Sequence, residues 1–476
     1  MAKNKSTVEK RGGAVQFQEK SEKKSTFPSK KEASLPKRIS SKNQVPSGTV
    51  PTGAKAPSHA GSKDAFKKSL VEELLPELPA ESRQILENFE CLVQGVRPLS
   101  SRQLLRLPEN IRDVSHLLTD QRGGRRMGYL NDTVYLSAYM RYFQWWNLLR
   151  LTRLFAGLKP SQLNVPDNGI CLDIGSGPLT VPIALWLARP DLREKKLTWY
   201  CLDHSQTALS LGEELYLAVA ARSIADLASA RSIADSALEQ KSLELWRIIR
   251  VKGELGESVR QRAHLVTAAN VFNEVVEESG KPPEFTAKRA ADIIMHYKEA
   301  AAQVLVVEPG TPPAVRFLTA FRGALARKGL TVVSPCPKGM EWTEGTAEGK
   351  GCPCPMDGGR GNKWCHFTFS TEDAPQKLQK LSSRAGLPKE RASLAFVLAS
   401  SFASKSPAKE SQLEIRVISE PIKLPGERTG YYGCSQQGLV LVESATSLAP
   451  GQLLHVQEPS SPRRDKKSGA LVIKLG

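Results

Sequence analysis

The spacing of apolar residues changes along the chain, and these changes predict where strands and helices lie. Between residues 169 and 335, short runs rich in Val, Ile and Leu alternate with longer segments whose apolar residues recur at helical spacing. This alternation is typical of a parallel, doubly wound α/β sheet, in which helices connect the strands. The predicted strands are residues 169–174, 197–203, 246–252, 264–268, 304–308 and 331–334.

Residues 65–160 carry a helical pattern instead, and we predict a helical N-terminal region there. Within it, residues 134–154 contain six aromatic side chains. We interpret this stretch as core or as a face that packs on another domain, because exposed aromatic rings are unfavourable without a partner. Stacking on nucleic-acid bases is the less favoured alternative.

The pattern changes again after residue 335, where a segment dense in Gly, Pro and Cys is followed by strand-like runs at 395–398, 413–417 and 438–442. One short repeat is visible, since residues 221–229 are nearly copied by 230–238, and we interpret it as a duplication that lengthens one surface helix. The chain is therefore predicted to comprise a disordered basic tail (1–64), the helical region (65–160), a cofactor-binding α/β domain (161–335), a cysteine-cluster and β-rich extension (336–458) and a basic C-terminal tail (459–476).

Charge and composition narrow the class of protein. Hydrophobic residues make up 40% of the 476 residues, which excludes a wholly disordered chain. Apolar runs are too short to cross a bilayer, which excludes an integral membrane protein. The net charge of +18, half of it in residues 1–64, indicates a polyanionic partner, nucleic acid before an anionic membrane surface.

The N-terminal tail is interpreted as a solvated arm that contacts phosphates, with a merely solubilising tail as the alternative. It has no long apolar stretch, which argues against a secretory signal. Its Lys-rich composition and its Glu residues also argue against a mitochondrial transit peptide.

The loop after the first predicted strand, residues 172–178, reads LDIGSGP. Gly175 and Gly177 permit a tight turn and close approach of a ligand to the backbone, and the next helix contributes free N–H groups. Thr180 stands at the third glycine position of the dinucleotide fingerprint, which disfavours NAD. The pattern Asp-x-Gly-x-Gly is instead that of class I S-adenosylmethionine methyltransferases. We therefore predict that Asp173, Gly175 and Gly177 bind S-adenosylmethionine.

The second predicted strand ends in Asp203, whose carboxylate could accept the ribose hydroxyls of the same cofactor. An α/β fold with a degenerate pocket is the alternative. No catalytic residue is evident, because the fourth strand leads to Asn273-Glu274 and not to the Asn-Pro-Pro-Tyr of amino-methylating enzymes. Glu274 could orient a substrate, although we favour a capping or surface carboxylate. Methyl transfer can proceed through proximity alone, so activity is not excluded.

Eight cysteines are present. We expect Cys91, Cys171 and Cys201 to be buried as small apolar residues. Four others, Cys336, Cys352, Cys354 and Cys365, fall within 30 residues, and Cys434 follows. Without a secretory signal, a metal site is favoured over disulfides.

The cysteine spacings leave the metal open, because they are wide and irregular for zinc and suit an iron–sulfur cluster at least as well. His366 is expected to lie beside a ligand without being one. A Pro-Cys pair also occurs in cytosine-C5 methyltransferases, in which the Cys attacks the base. That hypothesis is disfavoured here, because Cys336 follows the wrong strand and has cysteine companions.

Taken together, these motifs resemble the methyltransferase-like assembly factors of the small ribosomal subunit, the methyltransferase-like protein seventeen type, found in mitochondria and many bacteria. The likeness covers about residues 75–438 and includes the loop 172–177, Asn273-Glu274 and a run of aromatic residues. Its other motifs are Val307-Glu308-Pro309-Gly310, Pro335-Cys336-Pro337, Cys354-Pro355-Met356, Trp364-Cys365-His366-Phe367 and Gly433-Cys434-Ser435.

The resemblance implies a class I methyltransferase-like, Rossmann-like fold with an S-adenosylmethionine-type pocket and a [4Fe–4S] cluster. The matching cluster ligands are Cys336, Cys354, Cys365 and Cys434. Cys352 is additional to the family pattern, and the insertion 338–351 separates the first ligand from the others.

The resemblance also implies partners, namely small-subunit ribosomal RNA and ribosomal proteins, with no membrane. The leading hypothesis is an assembly or translation factor of the small ribosomal subunit. The alternatives are an active S-adenosylmethionine-dependent ribosomal RNA methyltransferase and a zinc-stabilised nucleic-acid-binding protein. A cytoplasmic location of the bacterial type is expected, with the mitochondrial matrix as the alternative.

Overall fold

The computed structural model describes residues 71–119, 128–234, 244–279, 281–337, 364–402 and 412–475. Contacts divide the chain into two units, Met1–His59 and Ala60–Gly476, and every described residue belongs to the second. The predicted disordered tail, residues 1–64, therefore lies outside the described residues.

The N-terminal region is helical from residue 80 onward, as its pattern predicts. Its first described element is instead a strand, β1 (Val71–Glu72). A 3₁₀ turn at Tyr129–Asn131 and a π-helical segment at Tyr139–Gln144 interrupt the α-helices. These helices are α1 (Ala80–Glu87), α2 (Phe89–Val96), α3 (Ser101–Leu118), α4 (Thr133–Ala138) and α5 (Trp145–Gly157).

The predicted α/β sheet is present, and all six of its predicted strands are confirmed. Its strands are β2 (Ile170–Ile174), β3 (Thr198–Asp203), β4 (Arg247–Lys252), β5 (Ala263–Ala269), β6 (Lys298–Glu308), β7 (Thr331–Ser334), β8 (Phe367–Ser370) and β9 (Arg391–Ser400). The helices are α6 (Thr180–Ala188), α7 (Pro190–Arg193), α8 (Gln206–Ala234), α9 (Phe272–Ser279), α10 (Pro283–Tyr297), α11 (Pro312–Arg327) and α12 (Gln376–Arg384).

The strand order of this first sheet is β4-β3-β2-β5-β6-β9-β7, with β8 paired to β9. Strands β2 to β6 pair in parallel, whereas β9 runs antiparallel to both β6 and β7. This order, with an antiparallel strand inserted before the last parallel one, is the class I methyltransferase-like fold. The expected helix between β4 and β5 is absent, because residues 253–262 are mostly Gly and charged residues and form only turns.

The cysteine-rich segment is an insertion within this sheet. It connects β7 to β8 and β9, and β9 then pairs along its length with β6 and β7. Most side chains of β9 are buried, because both neighbouring strands and the helices cover it. The α/β domain therefore continues to Ser400, beyond the boundary predicted at residue 335.

A second sheet is formed mainly by the C-terminal part of the chain. Its order is β1-β14-β10-β12-β13-β15, with β11 paired to β12, and β1 joins it by pairing antiparallel with β14. Residues 459–476, predicted as a tail, contain β15, which pairs in parallel with β13. The strands are β10 (Gln412–Val417), β11 (Ile422–Leu424), β12 (Arg428–Ser435), β13 (Gly438–Ser444), β14 (Leu453–Gln457) and β15 (Leu471–Leu475).

The aromatic stretch of the N-terminal region is core, since Tyr142, Trp145 and Trp146 are buried. Among the described residues, no helix combines the length and the apolar character needed to cross a membrane. The first copy of the short repeat lies in α8, which continues into the second copy as far as Ala234. Residues 235–238 lie outside the described residues.

The three cysteines expected in the core differ in exposure. Cys171 and Cys201 are buried in β2 and β3, as predicted. The prediction is wrong for Cys91, which is exposed. It lies on the outer face of α2, because Phe89 and Val93, four residues apart, form the face that the helix buries.

Candidate functional site

The loop after β2 has an unusual concentration of left-handed backbone. Gly175, Gly177 and Leu179 have φ angles of 63°, 51° and 57°. For a leucine this conformation costs about 1 kcal/mol, and such strain clusters at ligand sites. A Cβ at position 175 would collide with the Val271 side chain, whereas one at position 177 would meet only Leu130 Cδ1 at 4.0 Å. The loop is therefore tightly packed at Gly175 and open at Gly177.

Asp173, predicted to bind the cofactor, is an internal support of this loop. Its side chain is buried, and its two oxygens accept hydrogen bonds from Ser176 Oγ at 2.6 Å and Thr267 Oγ1 at 2.7 Å. Burial raises the pKa of Asp173 to about 7, although both hydroxyl donors oppose the shift and the charge of Asp203 adds to it. Asp173 thus connects the loop after β2 to strand β5 through these two hydrogen bonds.

Asp203 lies at the end of β3, beside the same loop. Its carboxylate accepts the backbone N–H of Gly177 and the backbone N–H of Ser205, both at 2.8 Å. Burial raises its pKa, whereas these backbone donors lower it. The backbone N–H of His204 also acts on this carboxylate, and of its about four lone-pair positions at least one therefore remains for a ligand. The structure therefore brings Gly175, Gly177 and Asp203 together, as the sequence predicts.

Glu308 organises the neighbouring loop between β5 and α9. It is fully buried at the end of β6, and its carboxylate accepts the backbone N–H groups of Val271, Phe272 and Asn273 at 3.2, 2.8 and 3.2 Å. Burial raises the pKa of Glu308 to about 8, against the effect of these three donors. Because Val271 packs against Gly175, Glu308 also limits how far the loop after β2 can move.

The N-terminal helices cover one side of the loop. Gln144 Nε2, in the π-helical segment, donates to the carbonyl of Pro178 at 2.6 Å, and Ser205 Oγ donates to the carbonyl of Leu130 at 3.3 Å. π-helical turns of this kind are frequent at functional sites. The pocket is therefore built partly from the N-terminal region, which the sequence did not predict.

Tyr139, also in the π-helical segment, is close to the carboxylates of Glu274 and Asp203. Burial raises its pKa, and the charges of Glu274 and Asp203 raise it further. The hydroxyl therefore stays protonated at neutral pH and is available as a hydrogen-bond donor. Glu274 is half-buried in the first turn of α9 and lies near Tyr139.

Replacing Asp173 by Asn is expected to flatten the dependence of the unfolding free energy on pH. The folded-state pKa, about 7, lies above the ordinary 3.8, so Asp173 stabilises the native state below about pH 4. That contribution is lost as the pH rises through about 7, and Asn cannot titrate. Urea unfolding at about pH 5 and about pH 8 measures the difference. An unchanged pH difference in Asp173→Asn would contradict this assignment.

The cysteines form a second candidate site at the carboxyl edge of the first sheet. Cys336 follows β7, Cys365 precedes β8, and Cys434 lies in β12 of the second sheet. Arg416 in β10 lies beside these segments. It is the antiparallel partner of Cys434, and its Nε donates to the carbonyl of Pro335 at 3.0 Å. The charges of Cys336 and Cys365 raise the pKa of Arg416. Cys434 is therefore paired directly with Arg416, and Cys336 adjoins the residue whose carbonyl accepts a hydrogen bond from Arg416.

The remaining predicted ligand, Cys354, lies outside the described residues, as does Cys352. Among the residues that the structure does describe, no group of three or more His, Cys, Asp or Glu side chains is arranged to hold a metal ion. His366 Nδ1 donates to the carbonyl of Trp364 at 3.0 Å, and the two rings stack with centroids 5.1 Å apart.

Arg416 remains charged at neutral pH despite its burial. Burial lowers its pKa to about 10, and the neighbouring Glu72, Cys336, Glu414 and Cys365 act in the opposite direction. The cysteine segments therefore face a permanent positive charge.

A model of the mitochondrial small ribosomal subunit Rsm22 family matches residues 162–438, more than half of the chain. The chain belongs to the Rsm22 family. The match spans the first sheet from just before β2, the cysteine insertion and the second sheet as far as the start of β13. This Rsm22-family protein is therefore methyltransferase-like in fold, as expected from its sequence.

Solved structures with a similar fold include a TehB-like S-adenosylmethionine-dependent methyltransferase from Corynebacterium glutamicum, 14% identical, covering 39% of this chain and 82% of that one with a TM-score of 0.25. Another is a ribosomal protein L11 methylase from Lactobacillus delbrueckii, 14% identical, covering 40% and 72% with a TM-score of 0.25. With TM-scores this low, the fold assignment rests on the strand order. A comparison with curated proteins found no match.

Three residues that shape one or the other of the two sites in this Rsm22-family chain were given no role from the sequence. Glu308 could have been found from sequence, because it ends an apolar strand as Asp203 does. Arg416 could not have been found in this way. In β10 the apolar residues include Leu413 and Ile415, and the alternating pattern places Arg416 on the opposite side of the strand, where a solvent-facing residue is expected. Gln144 likewise gave no signal within a helical pattern.

Proposed function

We propose that this protein is a methyltransferase-like factor that binds small-subunit ribosomal RNA, either during assembly of the ribosome or during translation. The observation that carries the proposal is the family match over residues 162–438. The net charge of +18 supports it, because lysines and arginines bind RNA phosphates and release counterions. Ribosomal proteins are the accompanying partners.

An S-adenosylmethionine-type ligand is proposed for the pocket beside Gly177. The open space at Gly177 admits a ligand against the backbone, and Asp203 keeps a lone pair for a ribose hydroxyl. Tyr139 supplies a protonated hydroxyl at the same place. The sulfonium of such a ligand would supply a methyl group, and Asp203 and Gly177 would position it.

A thiolate-ligated metal is proposed for the cysteine site, with Cys336, Cys354, Cys365 and Cys434 as its ligands. The described cysteines lie on three separate segments, of which Cys434 pairs with Arg416 in the second sheet and Cys336 adjoins Pro335, whose carbonyl accepts a hydrogen bond from Arg416. Such separated ligands favour a [4Fe–4S] cluster, and zinc is the alternative. When bound, the cluster would link the insertion to the second sheet.

The alternative function is active methylation of ribosomal RNA. The nearness of the Glu274 and Asp203 carboxylates to Tyr139, beside the loop after β2, supports it. We prefer the non-enzymatic factor because the matching family is described as a small ribosomal subunit protein. The family name favours the mitochondrial matrix over the bacterial cytoplasm as the location.

Replacing Gly177 by Asn is expected to lower the affinity for S-adenosylmethionine about tenfold or more. The new side chain would enter the open space beside Asp203, while Asn tolerates the left-handed backbone. The matched control is Gly329→Asn, since Gly329 is also left-handed, with a φ of 83°, and has open space around it. Calorimetric titration measures the affinity, and thermal unfolding checks that both variants fold. Equal affinity in both variants would contradict the assigned pocket.

The same pair of variants tests the function in cells depleted of the native protein. We expect Gly177→Asn to restore small-subunit maturation with ribosomal RNA methylation unchanged. Loss of one methyl group together with maturation would establish the enzyme instead. Crosslinking that recovers no small-subunit ribosomal RNA with the wild type would overturn the RNA-binding proposal.

A further inference from the structure

A basic turn, residues 463–470, precedes β15 in the segment that the sequence predicted as a tail. Its first five residues read RRDKK and carry a net charge of +3. The four cationic side chains are all exposed, namely Arg463, Arg464, Lys466 and Lys467. Within the part of the chain that the structure describes, none of these four forms an ion pair. The basic turn therefore concentrates positive charge on the surface.

Backbone hydrogen bonds close the basic turn at its base. The N–H of Asp465 donates to the carbonyl of Ala470, and the N–H of Gly469 donates to the carbonyl of Asp465, both at 2.8 Å. Gly469 has a φ of 70°, a conformation that glycine adopts readily. Next to these bonds, Arg464 pairs with Leu471 in an antiparallel bridge. The basic turn is thus continuous with the second sheet, because β15 pairs with β13.

The Asp465 side chain fixes the inside of the basic turn. Its Oδ2 accepts the backbone N–H of Ser468 at 2.7 Å and the Ser468 hydroxyl at 2.6 Å. The hydroxyl bond is the largest of the causes that lower the pKa of Asp465, so the carboxylate is ionised at neutral pH. Across the turn, Arg464 Nη1 donates to the carbonyl of Gly469 at 3.0 Å. The one acid of the turn therefore holds its geometry, with Lys466 and Lys467 in the loop that it closes.

A preformed turn binds a polyanion at a smaller entropic cost than a flexible basic segment. A flexible chain loses conformational entropy at every residue that becomes ordered on binding. In the basic turn, the hydrogen bonds of Asp465 have already ordered the residues that carry the charge. Lysines beside a sheet edge also prevent pairing with another chain, which is the simpler explanation of such residues. Edge protection needs only the charges, whereas contact with fixed phosphates also depends on the turn.

We propose that the basic turn is a contact surface for the phosphate backbone of RNA, with Lys466 and Lys467 binding phosphates and Asp465 as a positioning residue. This inference rests on the proposed function, which names RNA as the partner. RNA is favoured over an anionic membrane surface, because peripheral membrane binding combines charge with inserted apolar side chains. The exposed side chains of the basic turn are all cationic, and Ala470 is buried.

The first test measures binding of the full-length protein to transcribed small-subunit ribosomal RNA over a range of salt concentrations. The double variant Lys466→Gln/Lys467→Gln should bind about tenfold more weakly at low salt. Its slope of log K against log salt should be smaller in magnitude by about 2, because each lost phosphate contact removes about 1.

The matched control for charge is Lys380→Gln/Lys423→Gln, which removes two exposed lysines from α12 and β11. It changes the net charge by the same amount, and we expect it to keep the wild-type salt slope. An equal loss of affinity and slope in both double variants overturns the inference, because net charge alone would then explain binding.

The second test separates the geometry of the turn from its charge. Asp465→Asn and Asp465→Ala raise the net charge equally, but Asn keeps an oxygen that can accept from Ser468. We expect Asp465→Ala to bind RNA about threefold more weakly than Asp465→Asn, because it loses the bonds that order the turn. Thermal unfolding checks that both variants fold. Equal affinities in the two variants overturn the positioning role of Asp465.

Failure of this inference is distinguishable from failure of the proposed function. A wild type that does not bind small-subunit ribosomal RNA overturns the proposed function itself. Wild-type binding that persists unchanged in Lys466→Gln/Lys467→Gln overturns only the role of the basic turn, and aggregation of that variant would then identify edge protection. Loss of binding to phosphatidylserine vesicles in this variant, with RNA binding unchanged, would identify a membrane contact in its place.

Discussion

Replacing Cys365 or Cys434 by Ser is expected to abolish metal binding, with iron per chain falling to near zero. Serine is a poor ligand for the soft iron of a cluster, and three remaining thiolates bind it far less tightly. Because metal binding is coupled to folding, the cysteine insertion should also lose order. Iron and acid-labile sulfide analysis after anaerobic purification measures the first effect, and limited proteolysis near residue 365 measures the second.

The matched control for these variants is Cys201→Ser. Cys201 is fully buried in β3 and outside the cysteine site, so its replacement introduces the same hydroxyl without removing a ligand. Cys91→Ser supplies an exposed control. Iron content in Cys365→Ser equal to that in Cys201→Ser would contradict the ligand assignment. Stoichiometric zinc in the wild-type protein would show that the site binds zinc and not an iron–sulfur cluster.

Replacing Glu308 by Ala is expected to destabilise the protein by about 3 kcal/mol or more, because three backbone N–H groups lose their acceptor. Each unsatisfied buried donor costs about 1–3 kcal/mol, and the truncated side chain leaves a cavity as well. Since Val271 packs on Gly175, S-adenosylmethionine affinity should fall together with stability. Urea unfolding and calorimetric titration measure the two effects.

The variant Glu308→Gln separates the acceptor role from side-chain size. Its carbonyl oxygen can still accept from Val271 and Phe272, whereas its amide nitrogen cannot accept from Asn273. The loss of stability should therefore be smaller than in Glu308→Ala. Equal stability of Glu308→Ala and the wild type would show that the loop after β5 does not depend on this carboxylate.

The sequence predicted the glycine turn after β2 because its signals are local. Two glycines between an apolar strand and a helix require a turn whatever the rest of the chain does, and Asp203 follows from the end of the next strand. The role of Asp173 was not predictable, because its burial depends on Thr267 in a strand nearly a hundred residues later. The backbone partners of Glu308 likewise lie on another element, the loop after β5, 35–37 residues earlier in the chain.

By itself, the sequence determined the α/β class, the strands of the first sheet and the glycine turn after β2, because apolar runs and glycines act through local geometry. Only the tertiary structure decided that β9 completes the first sheet around the cysteine insertion, and that residues 471–475 form a strand. It also decided which polar residues are buried. The sequence pattern places Arg416 at a solvent-facing position of its strand and Glu308 at the end of its strand. Both side chains are buried, because elements distant in the sequence pack over them.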